Sequence, residues 1–305
     1  MADQDIFEHL KQLFASARAA LRPILPKRLR GDTPVVPVVR LSGVIGISTP
    51  LKSGLTLASV ARPLERAFGM RRAQAVALVI NSPGGSPVQS HLIYRRIREL
   101  AAENKRPVIA FAEDVAASGG YMIACAGDEI FCDPSSIMGS IGVVGGSFGF
   151  QELIRKIGVE RRLYTAGEHK AMLDPFLPED PEDVARLKAL QREIHAIFIA
   201  LVKQSRANRL KGADDVLFSG EYWAGETSVS LGLADAIGDI RSTLRARYGD
   251  EVQMPVIAPP AGLLSSLLGR KSGAGTAIAP EGLSGLPDEL ISALETRAIC
   301  ARFGF

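Results

Sequence analysis

The chain is poor in the residues that usually mark metal or disulfide chemistry. Its three cysteines, Cys125, Cys132 and Cys300, include no CxxC pair and are odd in number. That argues against a disulfide framework or a zinc site, and for reduced, buried thiols. Four histidines, His9, His91, His169 and His195, lie scattered along the sequence and form no ligand cluster. Charge of one sign is also lacking. Thirty-six Lys and Arg against 33 Asp and Glu leave a net charge of +3, too small to argue for a nucleic-acid partner. No uncharged apolar run reaches membrane-spanning length; the long uncharged stretch at residues 134–151 is full of glycine and serine. The first residues are acidic and polar, so no cleavable leader is read there. What is present is an ordinary globular balance: 305 residues, 47% hydrophobic and 23% charged, enough for a sizeable core.

Three segments differ in pattern. In residues 1–33, Ile6, Leu10, Leu13, Phe14, Ala17, Leu21 and Ile24 recur at helical spacing, with Lys11, Arg18, Arg22, Lys27, Arg28 and Arg30 on the other side and at the end. Such a helix suits an anionic membrane surface, or else packing on its own domain or a sister subunit. Residues 34–250 alternate short β-branched or apolar runs with amphipathic stretches. Strands are expected at the start of this segment, over 75–87 (running into a glycine turn), 107–112, 129–133 and 160–166, and helices over 55–69, 90–105, 149–157 and 180–210. This alternation implies βαβ units, a mostly parallel sheet and helices on its faces. Residues 251–305 begin as a linker rich in Pro, Gly, Ala and Ser and close on a candidate terminal helix over 289–303.

Two glycine turns carry the chemistry. "NSPGGS" at 81–86 follows an apolar strand and precedes a helix. It matches neither GxGxxG nor GxxxxGK[ST], so a nucleotide site is weakly supported. Backbone N–H groups freed by two glycines can instead face an oxygen that becomes negative during acyl transfer. In "AASGG" at 116–120, Ser118 follows a strand through a short turn and opens a helix, where open α/β sheets place their sites. A plain N-cap serine fits the same position. Gly119 and Gly120 count against that, being poor helix formers in a first turn where nothing structural asks for them. A nucleophilic serine needs a base, and a lysine kept neutral by burial can serve. Lys170, in "GEHKAMLDPF", is one candidate; on its own it reads as a solvated charge.

"INSPGG", "AASGGYMIA", "MGSIGVV", "GEHKAMLDPF" and "FSGEYWAGETSVSLGLADAIGD" occur in that order. Together they resemble the motifs of the serine–lysine signal peptide peptidases, the SppA/SohB family, over residues 34–248. The resemblance implies an α/β fold of ClpP/crotonase type, a spiral of βαβ units with helices packed on the sheet. It implies a serine peptidase with Ser118 as nucleophile, Lys170 as general base, Gly85 and Gly119 as oxyanion-hole donors, and Ser140 orienting the lysine. It implies no cofactor, a peptide substrate such as a signal peptide or hydrophobic membrane-protein fragment, and a homo-oligomer in the form of a ring or dome. Ser118 and Lys170 would then come from one chain or from neighbouring subunits. Members usually carry an amino-terminal membrane anchor, and the basic segment 1–30 stands in its place. A cytoplasmic protein, peripheral at the inner membrane, is the corresponding expectation. Two other readings stay open: a crotonase-like acyl-CoA enzyme with Glu113 as its nearest acid, and a non-catalytic scaffold at the membrane face.

Overall fold

The computed structural model describes residues 33–46 and 54–258. The expected helices at 1–30 and 289–303, and Cys300, lie outside the described residues. Among the described residues seven strands form one sheet. Its main path runs β1 (Val38–Ser42), β2 (Val76–Ser82), β3 (Val108–Ala117), β4 (Glu129–Cys132), β7 (Ala236–Ile237), and every pairing along it is parallel. The α/β architecture with βαβ crossovers is therefore the one the sequence implies. Helix α1 (Leu57–Phe68) joins β1 to β2, and α2 (Pro87–Asn104) joins β2 to β3.

Local chemistry accounts for these elements. The strand β2, "VALVINS", is buried at all but one position, as a parallel strand covered on both faces must be. Thr56 and Ser59 form a reciprocal capping box at the start of α1. Ser86 caps α2 with Pro87 in its first turn, and Asp180 does the same for α5 (Pro181–Arg206) with Pro181. One core lies between the sheet and α1, α2 and α3 (Gly119–Ala124), including Leu41, Leu64, Phe68, Leu78, Ile80, Ile93, Ile97 and Tyr121. A smaller core on the other sheet face gathers Val79, Ile109, Phe111 and Phe131 against Leu244 of α8 (Ile240–Tyr248).

Two strand expectations need correction. The strand expected over 107–112 continues to Ala117, so no turn separates it from Ser118. Its first half pairs with β4 and its second half with β5 (Ile137–Gly139), which returns on the same side after the turn at 133–136. Ser136 closes that turn by donating its hydroxyl to the Glu113 carbonyl at 2.6 Å. Glu113 and Asp114 interrupt the apolar run, which is why composition ends the strand early. The second correction concerns 160–166, which forms no strand. Those residues are exposed and lie beside no strand that could accept them.

From Gly142 to Ile197 no residue is buried. This long arm carries α4 (Gln151–Lys156) and most of α5. It exposes large apolar side chains, among them Tyr164 at 89%, Phe148 at 78% and Val144 at 72%. The remaining elements are α6 (Asp214–Leu217), β6 (Tyr222–Trp223) and α7 (Gly225–Ser230), with β6 antiparallel to β5. Past α8 the chain returns to β1, where Val38 donates to the Pro255 carbonyl and Ile257 donates to Val38.

Candidate active site

Ser118 ends the long strand and starts α3 with φ +51° and ψ −122°. This region is hostile to an L-residue and costs on the order of 1–2 kcal/mol. A capping serine would have extended backbone and would accept a bond from the first helical turn. Ser118 does neither: its side chain makes no capping bond. The backbone holds the strain in place. Ser118 N–H donates to the Gly139 carbonyl at 2.8 Å, and its own carbonyl accepts from Met122 N–H at 3.0 Å. The result is a strained strand-to-helix elbow that presents a half-buried hydroxyl, the device of α/β-hydrolases reached with a different sequence.

The helix behind the elbow is fixed. All six residues of α3 are buried. Tyr121 donates its hydroxyl to the Leu233 carbonyl at 2.9 Å. Burial would raise the Asp235 carboxyl's pKa, but bonds from Arg206, Ile130 N–H and Arg209 outweigh that and hold it below the usual range. Arg206, itself fully buried, makes a two-pronged pair with Asp235 at 2.8 and 2.9 Å and a bond to the Gly232 carbonyl at 3.0 Å. The loop that receives Tyr121 is thereby clamped to α5.

The two glycine turns meet at the elbow. A Cβ on Gly84 would lie 2.8 Å from both Gly119 N and Ser118 Cβ. Ile45 N–H donates to the Gly84 carbonyl, and Ser86 N–H donates to the Ile45 carbonyl. This bridge turns the N–H of Gly85 away from Ile45. Neither Gly85 N–H nor Gly119 N–H has an acceptor among the described residues. Gly119 and Gly120 also have a packing reason that the sequence reading missed. A Cβ on Gly119 would lie 2.2 Å from Ser90 Oγ, and one on Gly120 would lie 2.3 Å from the Ser82 carbonyl oxygen. Their presence is thus explained by close approach of α3 to its neighbours, and is not by itself a sign of catalysis.

Ser140 follows β5 and also has φ +51°. Its N–H donates to the Glu221 carbonyl at 2.6 Å, and its carbonyl accepts from Gly142 N–H at 3.0 Å. Since Ala117 pairs with Gly139, Ser118 and Ser140 stand side by side just past the paired ends of two parallel strands. His195 joins this turn from α5, its Nε2 lying 2.9 Å from the Ile141 carbonyl oxygen. The sequence offered no signal for that role, because His195 has no local motif and its partner is 54 residues away.

Lys170 is placed differently. It sits in the exposed turn after residue 166, and no hydrogen bond joins its amine to Ser118 or Ser140 within this chain. The turn belongs to the arm. It is held to α4 by rings of Phe148, Phe150 and Phe176 with centroids 5.6–6.0 Å apart, and by the Arg161–Asp174 ion pair at 2.9 Å. One chain thus gathers Ser118, Gly85, Gly119 and Ser140, and leaves Lys170 in solvent.

Other candidates fall away from the elbow. Glu113 pairs with Arg40 at 2.5 Å and lies with Phe111 and Val79 along the opposite sheet face. Burial pushes the thiols of Cys125 and Cys132 up to about 12 and about 11, which suits inert core residues. No group of three His, Cys, Asp or Glu suited to a metal ion occurs among the described residues.

A strained serine elbow beside two unengaged backbone N–H groups defines the frame of a serine acyl-transfer enzyme. Comparison with known proteins specifies it further. Residues 101–252 match the model of Peptidase family S49, a span that includes Ser118, Gly119, Ser140 and Lys170. The chain is 30% identical over 204 residues to a putative protease of Synechocystis sp., covering 65% of this chain and 73% of that protein. It is 29% identical over 276 residues to the chloroplastic serine protease SPPA of Arabidopsis thaliana, covering 86% and 40%. It is 56% identical over 289 residues to a Na(+)/H(+) antiporter NhaA of Brucella abortus, covering 93% of this chain and 39% of that protein. The chain belongs to peptidase family S49. It spans 39% of the length of the first curated relatives it matches, and the antiporter name is that of the longer protein. No helix among the described residues is long and apolar enough to cross a membrane.

Proposed function

We propose that this chain is a serine endopeptidase acting through a Ser118–Lys170 dyad. The observation that carries the reading is the Ser118 elbow: a strained backbone whose serine makes no capping bond and presents a half-buried hydroxyl. Neutral Lys170 takes the Ser118 proton as Oγ attacks the peptide carbonyl. The N–H groups of Gly85 and Gly119 hold the oxyanion, each worth about 3 kcal/mol in the transition state. The protonated lysine gives its proton to the leaving amine. A water deprotonated by Lys170 then releases the acyl group from Ser118. Ser140 holds the amine in line.

The exposed arm is the reason to complete this site between copies of the chain. A run of 56 residues with none buried, bearing Val144, Phe148, Tyr164 and Ile157 in solvent, is an apolar surface of the kind that meets a partner. A second copy packed there would bury these side chains together with Lys170, which desolvates its ammonium and favours the neutral base. The assembly is a homo-oligomer, a ring or dome if the contact is head-to-tail and closes. Residues 144–149 have no regular secondary structure, are exposed and lack backbone partners among the described residues, and they begin four positions past Ser140. An extended peptide pairing with them would cross the elbow. The substrate class is a signal peptide or another hydrophobic membrane-protein fragment. The Arg40–Glu113 pair on the far sheet face leaves the acyl-CoA reading without its acid.

The test is turnover of a fluorogenic peptide by Ser118→Ala and Lys170→Ala. Both are expected to lose activity with unchanged melting temperature. Retained turnover in either variant excludes the dyad.

A further inference from the structure

We propose that the edge of the sheet opposite Ser118 is a docking surface for an anionic lipid bilayer. The strands β1 to β4 run parallel and the crossover helices run back, so the strand starts and the ends of α1 and α2 share one edge. Ser118 stands at the other end of β3, ten residues and roughly 30 Å away. This edge is basic. Arg62 and Arg66 lie one turn apart on α1, Arg71 and Arg72 follow it, and Lys105 caps α2. All five are exposed, and none forms an ion pair among the described residues. By contrast Arg95, Arg96 and Arg98, farther back on α2, are each paired, with Glu99, Glu65 and Asp128.

Contacts tie the segments that carry Arg71, Arg72 and Arg106 together. Arg106 Nη2 donates to the Arg71 carbonyl at 3.0 Å, and its Nε is buried without an acceptor. Arg72 Nη2 donates to the Thr33 carbonyl at 3.1 Å. Cations near α1 and α2 C-termini complement the helix dipoles, which accounts for Arg66 and Lys105. It does not account for Arg71 and Arg72 in the following turn or for Arg62 in mid-helix. Of the carboxylates at this end, Glu65 and Glu103 are engaged by Arg96 and Asp128 by Arg98, while Asp250 and Glu251, exposed just before Gln253, have no ion pair among the described residues and leave the cations in excess. The unpaired cations repel one another, and a polyanionic plane relieves that repulsion. Lipid is favoured over other polyanions because the chain enters the fold here. Thr33 is bonded to Arg72, and the basic amphipathic sequence of residues 1–30, with Lys27, Arg28 and Arg30 at its end, leads directly into it. Seated this way, the Ser118 edge faces away from the lipid.

The experiment is co-sedimentation of the full chain with vesicles of phosphatidylcholine alone and of equal parts phosphatidylcholine and phosphatidylglycerol. The chain is expected to partition only onto the anionic vesicles, and less as salt rises. The variant Arg62→Gln/Arg71→Gln/Lys105→Gln is expected to partition about a hundredfold less, since each basic residue near an anionic leaflet contributes roughly a fivefold effect. Its melting temperature and peptide turnover stay unchanged. Equal partitioning of variant and wild type assigns the contact to residues 1–30 and overturns the proposal. So does no partitioning of the wild type, or tighter binding to double-stranded DNA than to the vesicles.

Discussion

Ser118 and Ser140 occupy equivalent positions at the ends of adjacent parallel strands, both at φ +51°, with Ser118 N–H bonded to the carbonyl of Gly139. The pairing of β3 with β5 sets this geometry, and it places a second hydroxyl beside the proposed nucleophile. A positive φ, uncommon for a residue other than glycine, thus recurs at two neighbouring strand ends.

Relief of that strain is measurable. Ser118→Gly removes the side chain from a backbone conformation that glycine adopts without penalty. The variant is expected to be more stable by about 0.5–1 kcal/mol, after allowing for the greater freedom of its unfolded chain, and to be inactive. Chemical denaturation alongside peptide turnover checks both parts. Destabilisation would mean that the hydroxyl has a structural partner.

Subunit mixing separates a dyad shared between chains from one held within a chain. Ser118→Ala and Lys170→Ala proteins, each inactive, are unfolded and refolded together. If Ser118 of one copy meets Lys170 of the next, random assembly restores both groups at about a quarter of the sites. A dyad within one chain restores none.

His195 is expected to position the turn that carries Ser140. His195→Leu removes the bond to the Ile141 carbonyl. It should lower kcat about tenfold with little change in KM, because small displacements near reacting groups are costly. His195→Gln, whose amide can donate to the same carbonyl, should recover most of the rate. Equal loss in both variants, with a lowered melting temperature, would mark a purely structural bond.

Asp235 links stability to pH. Its carboxyl is held below its ordinary value in the folded state, so its contribution is full above the unfolded value near 4 and is lost as pH falls through the folded one. Asp235→Ala strands the buried Arg206 guanidinium and should cost about 3–5 kcal/mol near neutral pH. Urea denaturation of both proteins at pH 7 and pH 3 should show the gap narrowing in acid.

Much of this was legible in the sequence, for a local reason. The buried run "VALVIN", the turn "NSPGG" and the serine at the mouth of a helix each express a requirement met within a few residues. Other features depend on what stands alongside. "ERRLYTA" at 160–166 has strand-like composition, yet a strand needs a neighbour to take its backbone bonds, and none lies there. The charged "EDV" at 113–115 continues a strand because β5 comes to meet it.

The sequence by itself determined the alternation of strands and helices, the order of the motifs, and which residues belong to the family's pattern. The tertiary structure decided the strained conformation of Ser118, the juxtaposition of Ser140, the bond from His195, and the packing that requires Gly119 and Gly120. It also decided that Lys170 stands apart from Ser118 in a single chain. The reason is physical: propensity and periodicity act over one turn or one strand, whereas positive φ, close backbone approach and a lysine's surroundings are imposed by neighbours distant in sequence.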